Sequence, residues 1–344
     1  MHIAIVTTSW PADEDDPSGH FVRASARQLE GSGHRVTIVS PPAGGAFGWP
    51  GVQARIRERP ARALEAARWV ATARKRLRGL EVDRVTAHWA VPCAWPAAST
   101  VCAPLDVVSH GADVRLLAAM PRAMRAWVVT RVATQATAWA FVSRELLDRL
   151  LASLDGGTRA RLERVATVEA PPIEMPDVAP AIARLRNELG AARRVAVSVG
   201  RLVASKRVDR AIVLASQSDE IETLVIVGDG PERARLQRLA QDLGVDARFV
   251  GTVGRREAIA WIGAANLMIH ASEAEGLSTV VREAEALGTP VVRVPTAACV
   301  ETRGRPSRDR GSGSRLERPP PHAVRSAGPA TGLATENPSG RHPA

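Results

Sequence analysis

The chain has 344 residues, 45% of them apolar, which is enough for two domains of ordinary size and a sizeable core. Aromatic residues are only 3%, with eight Trp, four Phe and no Tyr, so the core is built mainly from Ala, Val, Leu and Ile. The formal charge of +10 is carried almost wholly by Arg, with lysine only at Lys75 and Lys206. That composition-wide drift gives little ground for any one charged partner, and no stretch approaches the ~20 apolar residues of a membrane span.

The first stretch, HIAIVTT, is a short β-branched run without the basic start or long apolar core of a signal peptide. A polar loop follows, SWPADEDDPSGH, and then a helix with Phe21, Val22, Ala26 and Leu29 at helical spacing, stopped by Gly31 and Gly33. RVTIVS is the next strand, and strand, loop, helix, strand opens a parallel α/β sheet. VDRVTAHWA, LDVVSHGAD and TAWAFVS continue the strands, RELLDRLLASL reads as a helix, and RVATVEA closes this half. Residues 170–180 hold four Pro and read as a linker. The rhythm then restarts through RRVAVSVG, VDRAIVLAS, TLVIVG, PERARLQRLAQDLG, ARFVGTV, REAIAWIGAA, NLMIHAS and TPVVRV, with Pro231 placed in the first turn of its helix. The expected division is 1–170, a linker at 171–180, 181–295, and a tail at 296–344. The tail is rich in Arg, Pro and Gly and shows no periodicity, so disorder is expected from about residue 300. The abrupt loss of pattern near residues 293–300 reads like translation in a shifted frame. An intact long frame with no family-like alternative would sink that idea.

Ligands of open parallel sheets sit at the carboxyl ends of the strands, and four such loops carry special residues. DPSGH brings Gly19 to a helix start. SHGAD brings His110 and Asp113. His110 could donate a hydrogen bond to a substrate or stabilise developing charge, and Asp113 could cap a helix. VGRLVASK places Arg201 and Lys206 on a strand-to-helix loop, where two cations suit a diphosphate; a solvated basic loop is the plainer reading. In EAEGLSTVVREAEALGTPVV, Gly276 allows close backbone approach, and the amides of Leu277, Ser278 and Thr279 open a helix that can receive phosphate. The expected apolar stripe is Val280, Ala284 and Leu287, so Glu283 borders the packed side, where it could accept the hydroxyls of a ribose, while Glu275 could bind those of a sugar. Gly228, in GDGP, faces a ligand or only makes a turn.

Other features carry less. Asp13 to Asp16 form a solvated acidic run with no His or further carboxylate to complete a metal site, and none is expected. Cys93, Cys102 and Cys299 lack metal or redox spacing and suit a reducing compartment. Residues 55–78 are basic and amphipathic. A solvated helix face is the first reading, and peripheral contact with anionic lipid at the inner membrane face is the second. The chain is read as cytoplasmic.

Together and in order, SGHFVRASARQLEGSGHRVTIVSPP, VVSHGAD, SVGRLVASKRVD, VIVGDGPERARLQRLAQDLGV, FVGTV and SEAEGLSTVVREAEALGTPVV resemble the retaining GT-B glycosyltransferases of the family 4, or group 1, type, from residue 1 to about 295. The resemblance implies two Rossmann-like domains facing a cleft, the second incomplete here. It implies transfer of a sugar from a nucleotide-diphosphate sugar with retention, without metal or further cofactor. The acceptor is unassigned: a glycan, a lipid-linked sugar or a small molecule. On this resemblance His110 lies beside the donor sugar, and Gly19 approaches the phosphates. Arg201 and Lys206 hold the diphosphate, Glu275 the sugar and Glu283 the ribose. Family members continue past residue 295 with further strand and helices, so the altered end puts turnover in question. The alternatives are a catalytically inactive relative, a sugar-nucleotide epimerase, or a basic nucleic-acid-binding protein. The tail shows no organised basic surface to favour the last, and no nucleic acid is expected.

Overall fold

The computed structural model describes residues 1–16, 18–42, 45–47, 52–190, 193–272 and 277–294, all within one compact unit, Met1–Val300. Glu275, Gly276 and the tail at 296–344 therefore lie outside the described residues. The first half runs β1 (His2–Val6), α1 (His20–Gly31), β2 (Arg35–Val39), α2 (Val52–Glu58), α3 (Arg62–Arg78), β3 (Arg84–His88), α4 (Trp95–Ala98), β4 (Leu105–Ser109), α5 (Ala112–Ala119), α6 (Arg122–Gln135), β5 (Ala136–Phe141), α7 (Arg144–Leu151), α8 (Gly156–Glu163) and β6 (Ala166–Val168). Its six strands pair in the order β2-β1-β3-β4-β5-β6, parallel throughout. Ile3, Ala4, Ile5 and Val6 of β1 are all buried, the unbroken apolar run of a parallel strand covered on both faces.

Local chemistry explains the helices around this sheet. The Ser143 hydroxyl accepts from the Leu146 amide and caps α7, whose Leu146, Leu147, Leu150 and Leu151 are buried as one stripe. Asp155 caps α8 by accepting from the Thr158 amide at 2.9 Å. The basic stretch at 55–78 is not one helix: α2 and α3 flank a break that contains Pro60. Trp69, Ala73 and Leu77 of α3 face the core.

The second half runs α9 (Ala179–Leu189), β7 (Val195–Val199), a short 3₁₀ turn (Ala204–Lys206), α10 (Val208–Gln217), β8 (Thr223–Val227), α11 (Arg233–Asp242), β9 (Ala247–Gly251), α12 (Arg255–Ala264), β10 (Leu267–His270), α13 (Thr279–Ala286) and β11 (Val291–Arg293). Its strands pair, again in parallel, in the order β11-β10-β7-β8-β9. Two apolar clusters cover this sheet, one around Val197, Ile259 and Ala284, the other around Ile212, Leu224 and Leu236. Pro231 lies before α11, whose N-cap is Glu232. The α13 stripe keeps Ala284 but differs from expectation at its ends. Val281 and Ala284 are buried, whereas Val280 and Leu287 are only partly so.

The two halves meet through the loop after β1. The Asp15 carbonyl accepts from the Arg255 amide at 2.9 Å, at the start of α12. The Asp15 carboxylate accepts from the Arg256 amide at 3.3 Å. The acidic run is thus not wholly solvated: Asp15 caps a helix of the other half. Arg282 of α13 donates to the Pro171 carbonyl at 2.6 Å, tying α13 to the linker.

Candidate functional site

The loop after β7 carries Arg201 and Lys206. The Lys206 stem crosses Gly200, its Cε 3.8 Å from where a Cβ on that glycine would stand. Burial, then Arg201 and Arg115, lower the Lys206 ammonium to about 8. Burial and Arg115 lower Arg201 as well. Arg115 comes from α5 of the first half, and its Nη1 lies 3.5 Å from the Cβ position of Gly111, next to His110. At the end of β10, His270 is lowered to about 4 by burial, then by Lys206 and Arg293. Like charges from both halves therefore share a partly buried region at the carboxyl ends of the strands. Arg115 was not singled out from the sequence, because nothing local marks it among so many arginines.

The glycines have internal reasons to be glycine. Gly19 has φ 73°, and a Cβ there would stand 2.1 Å from the Ser9 carbonyl oxygen. Gly228 has φ 132°, and its Cβ would stand 1.9 Å from the Gly200 carbonyl oxygen. Close backbone packing of the loop after β8 on the loop after β7 thus requires Gly228.

The loop bearing His110 is held rigidly. Asp113, 1% exposed, accepts from the Ala90 amide at 2.8 Å, the Ser109 hydroxyl at 2.7 Å and the Gly111 amide at 3.1 Å. Ser109 in turn accepts from Trp139 Nε1 at 2.9 Å. Asp113 is therefore a structural tie within its own half, joining α5 to the loop after β3. His110 is packed by Phe21, with ring centroids 4.5 Å apart, and by Trp89 at 5.0 Å. Trp89 has φ 72°, a left-handed conformation that costs a non-glycine residue about 1–3 kcal/mol. His88 Nδ1 contacts His110 Nε2 at 2.9 Å. Sequence reasoning did not single out Phe21 as a site residue, nor His88 or Trp89 in the loop-ending VTAHWA.

Glu283 is 4% exposed, so it does turn inward. Its Oε1 accepts from Arg255 Nη2 at 2.9 Å and lies 3.9 Å from His20 Nε2. Burial raises its carboxyl and Arg255 opposes that rise. The inward carboxylate thus has protein partners in this structure. Leu277 packs against the core of the first half, Ser278 is the N-cap of α13, and Thr279 begins its first turn. A cavity of about 330 Å³ is lined by Glu145, His270, Ser272, Leu277 and Ser278, among others. Among the described residues no three His, Cys, Asp or Glu side chains gather as metal ligands, and no helix is long and apolar enough to cross a membrane.

Two parallel sheets flanked by helices, with loops meeting at their carboxyl ends, define a GT-B fold of two Rossmann-like halves. Residues 182–302 match the profile of the family "Glycosyl transferases group 1". The GDP-mannose-dependent alpha-(1-6)-phosphatidylinositol monomannoside mannosyltransferase of Mycolicibacterium smegmatis is 31% identical over 295 residues, covering 78% of this chain and 74% of that protein. The chain belongs to the group 1 glycosyl transferases. It also matches the GDP-mannose-dependent alpha-mannosyltransferase of Corynebacterium glutamicum, 36% identical over 101 residues, or 29% of this chain; that match spans only 23% of the relative's length. Among solved structures, Anabaena HepE in complex with UDP shares the fold, with a TM-score of 0.58 and 19% identity over 85% of this chain and 80% of that one.

Proposed function

We propose that the chain transfers a glycosyl group from a nucleoside-diphosphate sugar to an acceptor hydroxyl, with retention of anomeric configuration and no metal ion in the step. The observation that carries this reading is the convergence of Arg115, Arg201 and Lys206 from both halves: besides burial, Arg115 lowers Arg201, and Arg201 and Arg115 lower Lys206. Converging positive charge at the carboxyl ends of the strands suits the two phosphates of a nucleoside diphosphate, whose oxygens can accept charge-assisted hydrogen bonds from these side chains. In the reaction the bond from the anomeric carbon to the diphosphate oxygen breaks, and a bond to the acceptor oxygen forms on the same face. The acceptor proton passes to the leaving diphosphate. The cations stabilise the charge that builds on that diphosphate, a preorganised electrostatic role that a metal ion plays elsewhere. The Leu277, Ser278 and Thr279 amides at the start of α13 contribute further donors. His110 donates toward the donor sugar, and Glu283 exchanges part of its contact with Arg255 for a ribose hydroxyl. The names of the curated relatives favour GDP-mannose as the first donor to test, and the UDP bound by HepE makes UDP-sugars the second.

Thermal shift with GDP and UDP, followed by donor hydrolysis, tests the reading. One of the two nucleotides should raise Tm. Lys206→Ala and Arg115→Ala should each weaken that nucleotide about tenfold or more, the usual loss for one charge-assisted contact. Binding without any turnover identifies a degenerate, donor-binding relative. No response to either nucleotide overturns the proposal.

A further inference from the structure

We propose that His88 is a positioning residue that sets which nitrogen of His110 carries the proton. This rests on the reading of His110 as a donor beside the transferred sugar. His88 closes β3 and is 1% exposed, and it reaches neither the cationic loops nor α13 through any hydrogen bond described above. Its Nδ1 lies 2.9 Å from His110 Nε2, with the two rings 15° from parallel. Nitrogens that close are nearer than the ~3.5 Å of stacked planes, so the rings meet edge to edge through a single N–H···N bond.

One proton occupies that bond, and the two neutral rings then have only two arrangements. In the first, His88 Nδ1–H donates to His110 Nε2, and His110 keeps its own proton on Nδ1. In the second, His110 Nε2–H donates to His88 Nδ1, His88 carries its proton on Nε2, and His110 Nδ1 is bare. His110 is a donor at Nδ1 in the first arrangement and an acceptor in the second. The two rings switch together. Both are held neutral: burial lowers His88 to about 4, and burial, then His88, lowers His110 well below the ordinary imidazole range.

The far side of His88 selects between them. Its Nε2 is buried and has no hydrogen-bond partner among the described residues. The first arrangement leaves a bare acceptor there, and the second leaves an unpaired N–H. Orphaned buried N–H groups are rarer than under-satisfied acceptors, so the first arrangement is favoured. The Phe21 and Trp89 rings against His110 and the Asp113 ties in its loop leave the imidazole little freedom to rotate out of this bond.

Long-range ¹H–¹⁵N spectra of the full chain at neutral pH read the tautomer directly. His110 should show a bare Nε2 and a protonated Nδ1. In His88→Leu the His110 signals should move toward the opposite tautomer or an average. Donor turnover should then fall on the order of 100-fold, the loss typical of one donor aimed at developing charge, with the donor KM little changed. His88→Asn, whose amide can donate from about the Nδ1 position, should restore most of that turnover. A protonated Nε2 on His110 in the unaltered chain overturns the proposal whatever the variants do. Unchanged His110 signals in a folded His88→Leu overturn it equally. If the spectra come out as expected but His110→Ala leaves turnover intact, the donor role of His110 fails. The tautomer assignment then stands without a catalytic consequence.

Discussion

Two imidazoles, His88 and His270, have their basicity lowered to about 4 in the fold, largely by burial. In the unfolded chain each returns to about 6.5. Between those values the unfolded state binds protons that the folded state refuses, so stability rises with pH across the window. The contribution is complete above pH 6.5 and is lost as pH falls toward 4. For fully buried His88 the loss is on the order of 3 kcal/mol. Tm followed from pH 7 to pH 4 should therefore fall progressively, and His270→Gln should flatten part of the slope. A Tm independent of pH over that range would contradict the burial of both rings. None of this was legible residue by residue. A lone His in VTAHWA or NLMIHAS reads the same whether it is exposed or drawn out of water.

At the scale of elements, the strands were the most legible part, because parallel strands buried on both faces are continuous apolar runs bounded by turn residues. Helix α6 was not assigned from the sequence: its RAMRAWVVTRVATQ mixes β-branched residues into the helical stretch, and its N-cap, Pro121, makes no side-chain cap bond. Packing decided it, with Val128, Val129, Val132 and Ala133 buried as one stripe. The glycine turns show the same division. GDGP announces a turn, but only the folded chain shows that Gly228 rests on the backbone of Gly200. Gly228→Ala should cost about 3 kcal/mol or more, from a forced φ together with an overlap that backbone cannot relieve. Urea unfolding measures this directly. A loss under about 1 kcal/mol, as for a simple exposed turn glycine, would show that the close approach is absent.

For the whole molecule, the informative residue is Arg255. Its amide donates to Asp15, and its guanidinium donates to the Glu174 carbonyl at 2.7 Å and to Glu283 at 2.9 Å. This one residue thereby joins the first half through its amide, and the linker and α13 through its side chain. Removing one member of a buried pair strands the other, a loss of about 3–5 kcal/mol. Glu283→Ala should therefore lower the urea midpoint sharply, whereas Arg255→Met with Glu283→Leu should recover most of it. If the pair also couples the halves, Glu283→Ala should broaden unfolding or split it into two transitions. Equal loss in the single and double variants would mean that the ion pair has no special weight. The inward direction of Glu283 thus has a structural account as well as the functional one proposed for it.

The sequence by itself determined the fold class, the alternation of strand and helix in both halves, the loops at the strand ends, and Arg201, Lys206, His110 and Glu283 as candidates. Those signals are local: apolar runs, turn residues, and unusual residue types at strand ends. Only the tertiary structure added Arg115 to the cationic cluster, paired His88 with His110, and set Arg255 against Glu283. Those partners come from elements 20 or more residues apart in the chain, and no local pattern encodes which elements will meet. Periodicity shows which face of an element is buried. Contact between elements decides what that face touches, and here the chemistry depends on the contact.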